Sequence, residues 1–172
     1  EFPKYKMVDA MAVARKNGRN VLAVTRAIVE VESPVSEEWL LKRIVFLFAG
    51  REKVTNVVRK EFNRQMWNCL RYGIVRKDGF LYMQGRQIPM LRVPSAGDEP
   101  RDIKYIELRE LASGLKEILK QNVSAEKQGL YRLLTQNLGF SRIGDAILER
   151  MDSALKLIYN DIEINGEMIS LK

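Results

Sequence analysis

One apolar pattern is written twice in this chain, 89 residues apart. Val54, Val58, Phe62, Met66 and Cys69 recur as Ile143, Ile147, Met151, Leu155 and Ile158. The spacing within each set is that of one face of an α-helix. Gly50 and Gly139 stand at the same offset, each ending one apolar helix and preceding another. The outward positions are not repeated: Arg59, Lys60, Asn63 and Arg64 become Leu148, Glu149, Asp152 and Ser153. A core kept twice beneath a face that changes directs the search for function to that face.

The bulk numbers narrow the classes. A chain of 172 residues, 46% of them hydrophobic, holds one or two small folded domains. No apolar run approaches the ~18 residues of a membrane span, so no membrane partner is expected. The N-terminus lacks the apolar core of a secretory signal, and Glu1-Phe2 reads as a cloning remnant ahead of a piece of a longer protein. The single Cys69 cannot form an internal disulfide, which suits a reducing, cytoplasmic compartment. Its place on the apolar stripe suits a small buried hydrophobe. Histidine is absent. Zinc fingers, metalloprotease sites and Ser-His or Cys-His catalysis are therefore not expected, nor is a cofactor or a metal.

Charge is uneven. Of 29 Lys and Arg, 18 lie in residues 1–100, against 11 of the 22 acids. The net charge of +7 thus belongs to the first segment and the rest is neutral. A basic module joined to a neutral one suggests a polyanionic partner for the first alone.

Start and stop signals order the elements. A short helix over Met7–Lys16, with Met7, Met11 and Ala14 on one side, ends at Asn17-Gly18. Asn20 caps a helix from Val21 to about Glu32 that buries Leu22, Val24, Ile28 and Val31. Pro34 breaks it, and Ser36 caps the next helix, which runs to Gly50 with Glu37 and Glu38 in its first turn. A third helix covers about Val54–Tyr72. Asp78-Gly79 between Ile74-Val75-Arg76-Lys77 and Phe80-Leu81-Tyr82 signals a hairpin. The second copy repeats this order and closes on a hairpin with an Asn165-Gly166 turn.

The expected fold is mainly α with small β hairpins (α+β), as two tandem winged-helix, or helix-turn-helix, domains. Residues 1–20 are the remnant and N-terminal helix, 21–83 the first, basic winged helix, 84–104 an extended linker holding Pro89, Pro94 and Pro100, and 105–172 the second, neutral winged helix.

Three stretches resemble a known family: Ile28-Val29-Glu30-Val31-Glu32-Ser33-Pro34-Val35-Ser36-Glu37-Glu38, Arg101-Asp102-Ile103-Lys104-Tyr105-Ile106, and Leu138-Gly139-Phe140-Ser141-Arg142-Ile143-Gly144-Asp145-Ala146-Ile147. The family is the winged-helix module of unassigned function near the C-terminus of large prokaryotic proteins with superfamily-one helicase motors, some nuclease-fused. Ser36 and Ser33 stand where that family often has His and Gly. The resemblance implies an accessory piece whose partner is the rest of a helicase-like polypeptide. No G-x-x-x-x-G-K-[ST] motif occurs in this chain.

In a helix-turn-helix the third helix meets the bases of the major groove. With the stripe inward, Thr55, Asn56, Arg59, Lys60, Asn63 and Arg64 face outward; Lys53 precedes the helix, and Arg76 and Lys77 approach the hairpin tip. Such residues neutralise phosphates and pair with guanine or adenine. Trp67 follows on the same side, expected to pack on the N-terminal helix or the linker, with base stacking as the alternative. Leu148, Glu149 and Asp152 of the second copy point to protein contact. The expected function is a non-catalytic module binding DNA, duplex or single-stranded. The alternative is a protein-interaction or homodimerisation module.

Overall fold

The computed structural model of the protein describes every residue except Arg19 and Pro89, so the Pro89 of the expected linker lies outside the described residues. Among the described residues the chain is α+β, with seven α-helices and two three-stranded antiparallel sheets. It divides into two compact units: Lys6–Gln87, and Glu1–Tyr5 together with Ile88–Lys172. We call them the first and second units.

In the first unit, α1 (Ala10–Asn17) starts behind Asp9, whose carboxylate accepts the Met11 and Ala12 N–H groups. Its expected inner face is corrected: Met7 and Met11 are exposed, and Val13 and Ala14 pack on the core. Asn20 caps α2 (Val21–Glu32) by accepting from Ala23 N–H. The α2 stripe is Val24, Ile28, Val29 and Glu32, so Val31 falls outside it and is exposed. A cis Ser33–Pro34 bond turns the chain into β1 (Val35–Ser36), and Ser36 caps α3 (Glu37–Ala49). Gly50 ends α3 in the left-handed region that favours glycine. The third helix is shorter than its apolar stripe: α4 (Asn56–Gln65) passes at Met66–Tyr72 into a tighter 3₁₀ segment, with Asn68 off helical angles. Strands β2 (Ile74–Lys77) and β3 (Phe80–Met83) follow, and the sheet order is β1-β3-β2. Asp78 and Gly79 both have positive φ, the two-residue turn that Asp-Gly favours.

The second unit repeats the order with α5 (Leu108–Asn122), β4 (Ser124–Glu126), α6 (Lys127–Asn137), α7 (Asp145–Lys156), β5 (Ile162–Asn165) and β6 (Met168–Leu171). Its sheet order is β4-β6-β5. Val123, at φ 61, turns the corner that Ser33–Pro34 turns in the first unit. Asn165 pairs with Met168, so the turn residues are Gly166-Glu167 and not Asn165-Gly166. Glycine with positive φ at the first turn position is the other favoured two-residue form. The stripe is inside in both copies: Phe62, Met66 and Cys69 are buried, as are Ile147, Met151, Leu155 and Ile158, with Val54 and Ile143 packed against the cores.

Part of the expected 84–104 linker belongs to the second unit's core, and so does a residue of the expected remnant. Leu91, Val93 and Ile103 lie in the second core, and so does Phe2. Val93 exchanges backbone hydrogen bonds with Pro3 and Tyr5. Gly114 on α5 makes the room: a Cβ there would stand 2.7 Å from Leu91 Cδ2 and 2.8 Å from Leu134 Cδ1. The Glu110 carboxylate, fully buried, then clasps the segment. It accepts from Arg92 Nη2 at 2.9 Å and from Arg101 Nη2 at 2.6 Å, and both guanidiniums lie over the Tyr5 ring.

Burial pushes the Glu110 carboxyl upward, but the charge of Arg101 and the bonds from Arg92 outweigh it and hold it below the usual carboxylate range. A lowered folded pKa gives stability that is present above the ordinary value of 4.5 and lost as pH falls below it. Glu110→Ala should strand two nearly buried guanidiniums and cost the second unit about 3–5 kcal/mol. Urea unfolding should show that loss at neutral pH and a narrowing difference from the wild type as pH falls through the acid range.

Candidate nucleic-acid interface

The face singled out by the repeat is built on α4. Thr55 sits before the helix as its cap, its hydroxyl accepting from Val58 N–H at 3.3 Å. It is therefore engaged in starting α4 and is not a free reading group. Asn56 opens the helix and is exposed, as are Lys53 in the preceding turn and Lys60 one turn on.

The arginines are held by acids. Arg59 donates to Glu38 at 3.0 Å. Arg64 forks onto Glu61, which also accepts from Gln65. Arg64 and then Gln65 hold the Glu61 carboxyl down at about 2. Arg76, on β2, donates twice to Glu37 and once to Asn63 Oδ1. So Asn63 faces the hairpin, and α3, α4 and β2 are tied along one side of the unit. Lys53, Lys60 and Lys77 are exposed, and among the described residues no acid pairs with them. Burial pushes the Cys69 thiol up, partly offset by Arg76, and the cysteine lies inside beneath this face.

Trp67 corrects an expectation of packing: it is not covered by the N-terminal helix of its unit but is 83% exposed. The apolar stripe points Val58, Phe62 and Met66 inward, and Trp67 follows Met66 on the outer side.

The equivalent helix of the second unit, α7, carries the opposite chemistry. Leu148 is 41% exposed, and Glu149 is exposed beside it. Asp152 is not a free carboxylate. It accepts from Tyr131 Oη at 2.7 Å and from Lys127 Nζ at 2.8 Å, which joins α7 to α6. The Lys127 bond and then the Tyr131 bond hold the Asp152 carboxyl below its ordinary value. Arg150 donates to the Ile106 carbonyl and anchors α7 from its other side.

Counted by unit, the contrast sharpens. Residues 6–87 hold 16 Lys and Arg against 8 acids, a net +8; the second unit holds 13 against 14, a net −1. Sequence reading missed the acid partners. Glu61 to Arg64 was legible as an i,i+3 pair, but nothing local joins Glu37 to Arg76 across 39 residues. No group of three His, Cys, Asp or Glu stands close enough to hold a metal ion among the described residues. No helix there is long and apolar enough to cross a membrane. No family model, curated protein or solved structure matches the chain.

Tyr131→Phe tests the reassigned Asp152. It should lower the stability of the second unit by about 1 kcal/mol, the net worth of one hydrogen bond. It should also raise the Asp152 pKa toward its ordinary 3.8, read by carboxyl NMR titration.

Proposed function

We propose that each unit is a winged helix, and that the chain is a non-catalytic accessory module whose first unit binds DNA and whose second docks on protein. One observation carries the reading. Two third helices with matching inward stripes present different outward charge: Lys60 on α4 against Glu149 on α7, and Arg64 against the neutral Ser153. A difference confined to the outer face is what separate partners for two copies of one scaffold would leave.

The element order supports the winged-helix reading: three helices, a short strand between the first two of the repeat, and a closing hairpin. In such a domain the third helix enters the major groove and the hairpin reaches the adjacent backbone. Lys53, Lys60 and Lys77, on the turn, the helix and the hairpin, would then meet phosphates as free charges. Arg59 and Arg76 would arrive already oriented by Glu38 and Glu37. On the second unit, exposed Leu148 and Glu149 suit a protein surface better than a polyanion. The resemblance to the C-terminal modules of prokaryotic helicase-like proteins makes the rest of such a polypeptide the proposed partner.

A second reading has its own support. Glu37, Glu38 and Glu61 take up Arg76, Arg59 and Arg64, which lowers the net charge of the face. That favours a protein-interaction or dimerisation module.

A salt titration with labelled duplex and single-stranded DNA separates the two. Replacing Lys53, Lys60 and Lys77 together by Ala should weaken binding and flatten the slope of log affinity against log salt by ~0.9 per lost phosphate contact on duplex. The melting temperature should hold, because no ion pair is removed. In the opposite direction, Glu37→Gln with Glu38→Gln should remove the acid partners of both arginines, leaving Arg76 with Asn63 alone, and tighten binding several-fold. Affinities unmoved by either change would transfer the assignment to the protein-interaction reading.

A further inference from the structure

The most exposed large hydrophobic side chain among the described residues of the first unit is an indole, Trp67, on its basic face. Helical spacing sets it just beyond an outer stripe of Val57, Lys60 and Arg64, and Arg71 follows in the same 3₁₀ segment, all exposed. Among the described residues no cation lies over its ring and no core cluster includes it. An exposed tryptophan forfeits the stabilisation that burial would bring, so the position calls for an occupant. The surrounding charge names its class. Lys60 and Arg71 carry no acid partner among the described residues, Arg64 is paired only on the surface, and the unit has a net charge of +8.

We propose that Trp67 is a stacking platform for an unpaired nucleobase, so that the first unit prefers single-stranded DNA, or a duplex with a single-stranded end, to continuous duplex. This rests on the nucleic-acid reading above and adds strandedness to it. Stacking needs the flat face of a base. Inside a duplex each face is covered by its neighbours, and only the edges are open in the grooves. An indole has one N–H and cannot read an edge as Arg or Asn does. Position agrees with the chemistry. Trp67 lies 11 residues beyond Asn56, roughly 16 Å along the axis and past the N-terminal half that reads bases. A strand leaving the duplex there would keep its phosphates beside Lys60, Arg64 and Arg71 while its first free base meets the ring.

Three probes test this on the whole chain: an oligothymidylate, a blunt duplex, and the same duplex with a single-stranded overhang. Trp67→Ala should weaken the oligothymidylate and overhang complexes roughly tenfold, in the range of one lost base–aromatic stack, and leave the blunt duplex unchanged. Trp67→Phe should keep most of the affinity. In a Trp39→Phe background, Trp67 is the sole indole, and its emission should be quenched by the oligothymidylate and not by the blunt duplex. Unaltered single-strand affinity in Trp67→Ala, or no quenching, overturns the platform. If the Lys53, Lys60 and Lys77 replacements still weaken binding in that case, the DNA reading stands without it. If the wild type binds none of the three probes, both fall. A dimer by sedimentation that Trp67→Ala dissociates, with DNA affinity unchanged, would assign the indole to a second copy of the chain.

Discussion

Burial of Phe62, Met66 and Cys69 in the first unit, and of Ile147, Met151 and Leu155 in the second, fixes the rotation of each third helix about its own axis. Each such side chain is worth about 1.5–3 kcal/mol when removed from water, whereas an exposed pair such as Arg59–Glu38 is worth about 0–1 kcal/mol. The stripe therefore decides which residues face outward, and surface charge cannot turn the helix to suit itself. That leaves the outer positions free to diverge. Lys60 and Glu149 sit on equivalent helices without cost to either fold.

Buried charge plays a different role. Glu32 and Glu110 are both fully buried, and each fastens chain that the repeat does not contain. Glu32 accepts from Arg43 and from Val8 N–H, which holds the approach to α1. Glu110 gathers Arg92 and Arg101 over Tyr5 and draws Leu91, Arg92 and Arg101 onto α5. Neither ion can be left alone in the interior, since breaking such a pair costs about 3–5 kcal/mol. The clasps thus make fixed parts of the units out of the approach to α1 and out of a segment that reads as linker.

What was legible follows from locality. The 89-residue repeat, the caps at Asn20 and Ser36 and the Asp78-Gly79 turn are each set by neighbours a few residues apart, and each is found in the structure. What was not legible depends on distant partners. Asp152 reads as a residue for protein contact until Tyr131, 21 residues away, is brought to it. Thr55 reads as a contact residue, yet the helix start claims its hydroxyl. The linker becomes core because Gly114 leaves a notch for Leu91. Trp67 was misplaced for a related reason. The tightening of α4 at Met66 keeps the stripe inside, and the core cluster of the first unit does not include the ring.

The acids beside α4 bear on how a polyanion would be met. Arg59–Glu38 is close to half exposed on both sides, so its net attraction in water is small. A phosphate arriving at Arg59 would replace one hydrated anion by another, with the guanidinium already extended along α3. Asp152 has a second partner besides its cation. Its bonds to Tyr131 and Lys127 hold α6 against α7, and Lys127 also lies over the Tyr131 ring. Lys127–Asp152 is as exposed as Arg59–Glu38, so Lys127 could turn to a phosphate while the Tyr131 bond still joined α6 to α7. What separates the two copies is the outer position where α4 carries Lys60 and α7 carries Glu149, both exposed: there a phosphate is attracted on one helix and repelled on the other.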